Sequence, residues 1–329
     1  MALDRRDFLA LAASCGGYLL LAGSPAPLLA QTTRARRPRR AGKVVVEEKW
    51  ARIEELADGV WSVISTPQQD PRTLCNGAIV AGRHGVLALE AFGSVAGARW
   101  VADWAGKLTR RPPDEVVLTH FHYDHTRGVA GYASADGKRR SRVHATAETV
   151  RLVRDDDVAR KVPADPTKAE MLAQRRTIAA TEPSRIDLGG RVLRLSPLLG
   201  HTPSDVLLEL EDPPVVLAGD LLWNRYFPNY MSAIPSKLSV SVQSILREGE
   251  TQYIPGHGPM ATRADVEHYL ALIDLVDHAA RQAIQAGTPA AEAAKQFTIP
   301  PSLGEWTASP RSLEVAFTAW EKELRPASS

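Results

Sequence analysis

The distribution of apolar residues along the chain predicts two successive groups of strands, each followed by helices. Short apolar runs bounded by polar turn residues indicate strands, whereas apolar residues spaced by three and four indicate helices. The predicted strands lie at residues 53–56, 60–65, 78–80, 86–90, 116–119, 141–145, 185–188, 191–196, 206–210 and 215–218. The predicted helices lie at residues 94–108, 166–180, 239–247, 266–276, 290–297 and 313–324.

This repeated arrangement predicts an α/β fold. Two groups of strands with helices after them favour two sheets packed face to face, with helices on both outer surfaces. We therefore expect a four-layer αββα sandwich over residues 46–265, with no internal linker to divide it. Residues 266–329 are expected to form a C-terminal helical extension that packs on the outside.

A dense group of potential metal ligands follows the predicted strand at residues 116–119. Residues 120–125 hold three imidazoles and one carboxylate, at His120, His122, Asp124 and His125. Imidazole and carboxylate are typical ligands of zinc-like ions, and a turn after a strand can direct them at one point. Five of the nine histidines lie in this segment or in two later ones, which favours metal binding over unrelated surface roles.

The later segments place His201, Asp220 and His257 directly after further apolar runs. A rigid sheet can hold a ligand at a strand end, while the loop leaves it accessible to solvent. Two neighbouring cations need an anionic bridge, and a water shared between them becomes a hydroxide nucleophile near neutral pH. The order of these residues therefore favours a two-metal hydrolase.

In this order the motifs resemble the metallo-β-lactamase fold superfamily, whose hallmark is His-x-His-x-Asp-His followed by a distant His, a bridging Asp and a last His. The resemblance spans roughly residues 46 to 265 as a catalytic domain. It implies a first metal held by His120, His122 and His201, a second held by Asp124, His125 and His257, and Asp220 as the bridge. Ligand softness favours zinc for both divalent ions, with iron or manganese as alternatives.

The resemblance also narrows the expected reaction. Flavodiiron-type members carry Glu where this chain has His122, and the commonest β-lactamase subgroup has a Cys ligand where this chain has Asp220. Asp at that position resembles glyoxalase II and lactonases. We expect a metal-bound hydroxide to attack an ester, thioester, lactone or amide carbonyl, with Asp124 orienting the water and passing a proton to the leaving atom.

Two alternatives stay open at this point. One is hydrolysis of β-lactams, and the other is a non-catalytic metal-binding accessory protein. In one departure from the family pattern, the strand at residues 86–90 ends in Glu90 where much of the superfamily has Asp. We interpret Glu90 as a hydrogen-bond acceptor behind the metal ligands, because such carboxylates commonly orient ligating histidines.

The N-terminus resembles a twin-arginine export signal. Arg5 and Arg6 precede Phe-Leu and an apolar stretch at residues 9–22, which is too short for a confident membrane span. We predict a signal peptide at residues 1–30 and a basic linker at residues 31–45. The predicted partner is the twin-arginine export machinery, the predicted location is the bacterial periplasm, and no stable membrane span is expected after processing. Without Cys15, Cys75 alone remains, which excludes an intramolecular disulfide.

Charge and loops bear on the substrate. Residues 1–43 hold eight Lys or Arg and two Asp, so the remainder carries 32 basic and 36 acidic side chains, a net charge of −4. This negative charge argues against a nucleic-acid substrate and favours a small-molecule substrate.

Two loops are candidates for substrate contact. Residues 67–72 lie where relatives have a flap beside the metals. Residues 222–230 hold four aromatic residues that either line a substrate wall or pack the loop down.

Overall fold

The computed structural model describes residues 42–65 and 70–325. The predicted signal peptide, most of the basic linker and part of the loop at residues 67–72 lie outside the described residues. In the described ranges, no helix has the length and apolar character needed to cross a membrane.

Thirteen strands form two sheets in the described part of the chain. The first sheet follows chain order and contains β1 (Lys43–Glu47), β2 (Ala51–Ala57), β3 (Val60–Ser65), β4 (Gly77–Ala81), β5 (Val86–Leu89), β6 (Glu115–Val117), β7 (Arg142–Thr146) and β8 (Arg176–Ile178). The second sheet runs from β13 back to β9 and contains β9 (Ser184–Asp187), β10 (Val192–Leu198), β11 (Asp205–Leu210), β12 (Val215–Trp223) and β13 (Gln252–His257).

The described residues also form eight α-helices. They are α1 (Val95–Thr109), α2 (Tyr123–Thr126), α3 (Ala147–Ala159), α4 (Pro166–Ala173), α5 (Pro235–Ile245), α6 (Arg263–Gln285), α7 (Ala290–Gln296) and α8 (Pro310–Leu324). Local signals begin the long helices. Ser94 accepts a hydrogen bond from the backbone N–H of Gly97 at the start of α1, and Thr262 and Asp265 form a reciprocal capping box at the start of α6.

Three buried apolar clusters separate four layers. Successive strand residues point to opposite faces, so Val116 packs towards α1 and α3 while Val117 packs between the sheets. In the second sheet, Leu217 faces the middle of the sandwich and Val216 faces the outer helices. The predicted four-layer αββα sandwich is therefore confirmed.

Parallel strand pairs bring the ends of several strands to one edge. β5 pairs in parallel with β6, with Leu89 opposite Val117, so the residues that follow both strands emerge together. β12 pairs in parallel with β13 in the second sheet. The backbone N–H of Val206 donates to the carbonyl oxygen of Thr119 at 2.8 Å, which joins the two sheets at this edge.

Some predicted elements were wrong in extent. The helix expected at residues 166–180 ends at Ala173, because residues 176–178 instead form β8 and pair in parallel with β7. The helix expected at 239–247 begins earlier, at Pro235, a residue that suits the first helical turn. Helix α3 was not predicted; its visible signal is Thr146, whose hydroxyl accepts from the backbone N–H of Thr149.

Candidate metal centre

A single helical turn shapes the segment that carries most of the predicted ligands. His122 precedes α2, and its carbonyl oxygen accepts from the backbone N–H of His125 at 3.0 Å and from the hydroxyl of Thr126 at 3.0 Å. His120 lies before this turn, at a bend that follows β6. The turn therefore folds His120, His122, Asp124 and His125 back over the shared edge of the sandwich.

The first group of ligand atoms comes from three imidazoles. The Nδ1 atom of His122 lies 3.1 Å from Nε2 of His120 and 2.9 Å from Nε2 of His201. Oδ2 of Asp220 lies 3.2 Å from Nε2 of His201 and 3.8 Å from Nε2 of His120. These four atoms lie within 4.8 Å of one another, a spacing that suits one ion.

The second group is formed by Asp124, His125 and His257. Oδ2 of Asp124 lies 3.3 Å from Nε2 of His257 and 3.6 Å from Nε2 of His125. The ligand atoms of this group also lie within 4.8 Å of one another. Both sheets position its members. His257 ends β13 of the second sheet, and the other two lie on α2, which follows β6 of the first sheet.

Asp220 lies between the two groups. Its Oδ2 faces the first group, while its Oδ1 lies 3.1 Å from Nε2 of His125 and 3.3 Å from Nε2 of His257. A neighbouring glycine makes room for it, since a Cβ at Gly256 would approach Oδ1 to 1.9 Å. All seven predicted ligands are thus brought together, with one carboxylate facing both groups.

Unpaired buried atoms show that this donor set fits metal ions. Nε2 of His125, Nε2 of His257 and Oδ1 of Asp220 are buried and lack a hydrogen-bond partner among the described residues, although Oδ1 lies only 3.1 and 3.3 Å from the two nitrogens. Burial of such groups without partners is unfavourable, and native structures rarely leave them unsatisfied. Converging imidazole nitrogens and carboxylate oxygens form the donor set that zinc-like ions prefer.

In the metal-free protein, histidines of the two groups have pKa values shifted in opposite directions. Burial, with nearby His125, holds the pKa of His120 well below its usual value, and burial with the nearby His201 lowers the pKa of His122 to about 3. Burial also opposes charge on His257, yet the carboxylates of Asp220 and Asp124 outweigh it and raise its pKa to about 9. His120 and His122 therefore stay neutral near pH 7, while His257 carries a proton.

The neighbouring histidines lower the pKa values of the two carboxylates in the centre. Burial raises the pKa of Asp124, but His125 and His257 outweigh this effect and lower it to about 2. Burial likewise opposes ionisation of Asp220, and the surrounding histidines hold its pKa well below the usual value. Both carboxylates are therefore ionised near neutral pH and available as ligands.

Glu90 and Thr119 lie behind the ligands. Oε1 of Glu90 accepts from the hydroxyl of Thr119 at 2.5 Å and lies 3.1 Å from Nδ1 of His125. The Thr119 hydroxyl also lies 3.0 Å from Nδ1 of His120. Glu90 holds a left-handed backbone conformation, with φ 71°, as β5 ends. This placement agrees with the interpretation of Glu90 as an orienting carboxylate.

Sequence reasoning missed two residues that support the site. The side-chain amide of Asn76 donates to the carbonyl oxygens of Pro255 at 3.0 Å and Gly258 at 2.8 Å, which secures the end of β13. The Ser232 hydroxyl lies 3.1 Å from Nε2 of His122. Neither lies near its partner in sequence, so no local signal could have identified them.

The aromatic residues after Asp220 mostly hold their loop down. Phe227 and Tyr230 are buried in the cluster beneath the C-terminal helices. Trp223 belongs to β12 and stacks on His257, with ring centroids 3.9 Å apart. The packing interpretation of this loop therefore describes Phe227 and Tyr230, while Trp223 contacts the site directly.

Solved structures share the fold at low sequence identity. A metallo-beta-lactamase from Pontibacter korlensis is 17% identical, with a TM-score of 0.53 over 68% of this chain and 99% of that chain. The FIM-1 metallo-beta-lactamase from Pseudomonas aeruginosa in its mono-zinc form is 20% identical, with a TM-score of 0.53 over 70% of this chain and 98% of that chain.

A larger protein aligns over more of the chain. The sec-alkylsulfatase Pisa1 from Pseudomonas sp. is 16% identical, with a TM-score of 0.67 over 84% of this chain, which spans 50% of that protein. The family model of the metallo-beta-lactamase superfamily matches residues 92–272, a range that contains all seven candidate ligands. With its hydrolase fold and its candidate His/Asp metal site, this chain belongs to the metallo-beta-lactamase superfamily.

Proposed function

We propose that this protein is a dinuclear-metal hydrolase, with zinc as the favoured metal, that cleaves an ester, thioester, lactone or amide carbonyl. The observation that carries the proposal is the position of Asp220, whose Oδ2 and Oδ1 atoms face two separate ligand groups. Two divalent cations, when bound there, would activate a shared water as nucleophile and polarise the substrate carbonyl.

The protein's own residues would fix the geometry for that chemistry. His122 presents Nδ1 to the first group because its Nε2 is engaged with Ser232. The hydroxyl of Thr119 similarly occupies Nδ1 of His120 and leaves Nε2 directed inward. Such outer contacts fix the tautomer and the orientation of ligating histidines, so the centre would be organised before substrate binds.

Asp124 is the candidate for proton transfer. Its side chain is 16% exposed, against 5% for His257 and 2% for Asp220, so it is the carboxylate nearest to solvent in the centre. With its pKa lowered to about 2 it is ionised near neutral pH, so it can accept a hydrogen bond from a nucleophilic water, orient it and hold its proton briefly before the leaving atom takes it. The Cys75 thiol donates to the backbone carbonyl oxygen of Asp124 at 3.1 Å, which supports the position of this residue.

Metal-loaded protein should be assayed against thioesters, lactones, β-lactams, phosphodiesters and a secondary alkyl sulfate. We expect turnover of a carbonyl substrate other than a β-lactam, lost on removal of the metal. Preferred turnover of nitrocefin would favour β-lactam hydrolysis instead, and preferred cleavage of the sulfate or phosphodiester would contradict the carbonyl assignment. Absence of turnover on every substrate, with two metals bound, would favour the non-catalytic accessory protein. That alternative gives no reason for the presence of Asp124, so we expect turnover.

A further inference from the structure

We propose that Trp223 is a positioning residue for the second ligand group, and that its indole fixes the ring of His257 by stacking. The proposal rests on the two-metal function proposed above. The two rings lie nearly parallel, with centroids 3.9 Å apart and an interplanar angle of 28°. Offset-stacked aromatic pairs are favourable beyond the area that they bury.

Strand pairing explains why these two side chains meet. Trp223 and His257 are register partners in the parallel pair of β12 and β13. Paired residues on neighbouring strands project to the same face of the sheet, so their rings lie side by side. The backbone N–H of Asn224 donates to the carbonyl oxygen of His257 at 3.0 Å and closes the pair just after the stack.

The outward ring nitrogen of His257, Nδ1, has no hydrogen-bond partner among the described residues. Metal-ligating histidines almost always donate their second ring N–H to a carboxylate, a carbonyl or water. His120 has Thr119 and His122 has Ser232 in this role, whereas no side chain or backbone group in the described ranges pairs with the buried Nδ1 of His257. The ring of His257 meets the ring of His125 edge to face at 5.6 Å between centroids, and the closer stack on Trp223 is the contact that we expect to set its orientation.

His201 provides a useful comparison. Its Nδ1 is also buried without a partner in the part of the chain that the structure describes, but its ring meets the rings of His120 and His122 edge to face at 4.8 and 4.7 Å. Those neighbours hold His201 within the first group. Trp223 lies farther from His201, at 6.3 Å between centroids, so its loss should act mainly on the second group.

The indole itself is held by packing. Trp223 is buried in the apolar cluster beneath α5 and α6, and its Nε1 has no hydrogen-bond partner within residues 42–65 and 70–325. Hydrogen bonding therefore does not set the position of the ring, and a smaller apolar side chain would leave His257 free to rotate. Loss of such an outer contact typically lowers metal affinity about 10–100-fold.

The test is a zinc titration of metal-free protein against a competing chelator, for wild type, Trp223→Leu and Trp223→Phe. We expect Trp223→Leu to weaken the second equivalent about 10–100-fold and to leave the first unchanged, and Trp223→Phe to regain most of the loss. Trp100→Leu is the matched control, because Trp100 on α1 packs against Trp50, with ring centroids 4.6 Å apart and outside both ligand groups, and should leave both equivalents unchanged.

Thermal unfolding of the metal-free variants checks folding, and Trp223→Met replaces the leucine variant if that variant does not fold. A folded variant that binds both equivalents like wild type, or that loses both equally, would overturn the role of Trp223. The proposed two-metal function would still stand after that result. A wild-type protein that binds a single equivalent would overturn the two-metal function and this proposal with it.

Discussion

His122 illustrates how single residues define this centre. Its two ring nitrogens have different partners, because Nδ1 faces His120 and His201 while Nε2 faces Ser232. The ligand itself was visible in the sequence, since a spacing within six residues is a local property. Its partner Ser232 was not, because only the folded chain brings residues 110 positions apart into contact.

Replacement of Asp124 by Asn should separate catalysis from metal binding. The first group would keep its three imidazoles, so Asp124→Asn should retain most of the first-site metal. Turnover should fall about 100 to 10,000-fold, because the amide cannot accept the proton. The measurement is kcat together with metal content for the same preparation.

The matched control for this variant is His84→Ala. His84 is exposed in the turn between β4 and β5, at the other end of β5 from Glu90. We expect near-normal kcat and metal content for the control. Near-normal turnover in Asp124→Asn with both metals bound would refute the proton role, and equal loss in both variants would mean that the site is misplaced.

Metal uptake at the second group should depend on pH more strongly than uptake at the first. In the metal-free protein His257, with a pKa raised to about 9, holds a proton that a metal must displace, whereas His122, with a pKa lowered to about 3, holds none. Affinity for the second equivalent should therefore rise about tenfold per pH unit for each displaced proton below pH 9 and then level. Chelator competition at pH 6.5, 7.5 and 8.5 measures this slope. Equal slopes for the two equivalents would contradict the assignment of protons.

At the scale of elements, the ends of strands determine where the ligands lie, and the turns after them orient the ligand side chains. The sequence indicated that His201, Asp220 and His257 follow strands, because short apolar runs before them are a local signal. It did not indicate that residues 176–178 pair with β7, since strand pairing depends on the partner and not on local propensity. The extension of β12 to Trp223 was missed for the same reason.

Gly256→Ala should disturb the bridge between the two groups. Its new Cβ would lie 1.9 Å from Oδ1 of Asp220, so the carboxylate or β13 must shift. We expect affinity for metal to fall about 10–100-fold, in line with the loss of a well-placed supporting contact. The measurement is metal content after dialysis against a weak chelator.

Gly106→Ala is the matched control for this glycine. Gly106 lies in α1, and apart from its chain neighbours and the backbone of its own helix, no heavy atom of the described residues would lie within 4 Å of its new Cβ. This variant should bind metal normally and gain up to about 1 kcal/mol of stability, because alanine favours a helix more than glycine does. A Gly256→Ala protein that binds metal as tightly as the control would contradict the close packing at the bridge.

At the scale of the whole molecule, each sheet supplies part of the centre. The first sheet delivers residues 120–125, and the second delivers His201, Asp220 and His257. The sandwich was predictable because strands and helices alternate in a repeated order, whereas the contact between Thr119 and Val206 that joins the sheets was not. The division into residues 46–265 and a C-terminal extension stays a prediction.

Export is a further prediction at this scale. Residues 1–40 fused to a reporter should carry it to the periplasm, and Arg5→Lys with Arg6→Lys should keep it in the cytoplasm, because the export receptor reads the paired arginines. Cell fractionation with the two fusions measures this. Normal export of the double variant would rule out the twin-arginine route and leave a general secretory signal.

The central claim is that Asp220 joins two metal ions, and the metal content of the native protein tests it most directly. Elemental analysis after dialysis should give about two equivalents per chain, with zinc foremost. His257→Ala should retain about one equivalent, and Asp220→Ala should weaken both, because its two oxygens face both groups. A reproducible single equivalent in wild type, unchanged when zinc is added, would contradict the dinuclear centre.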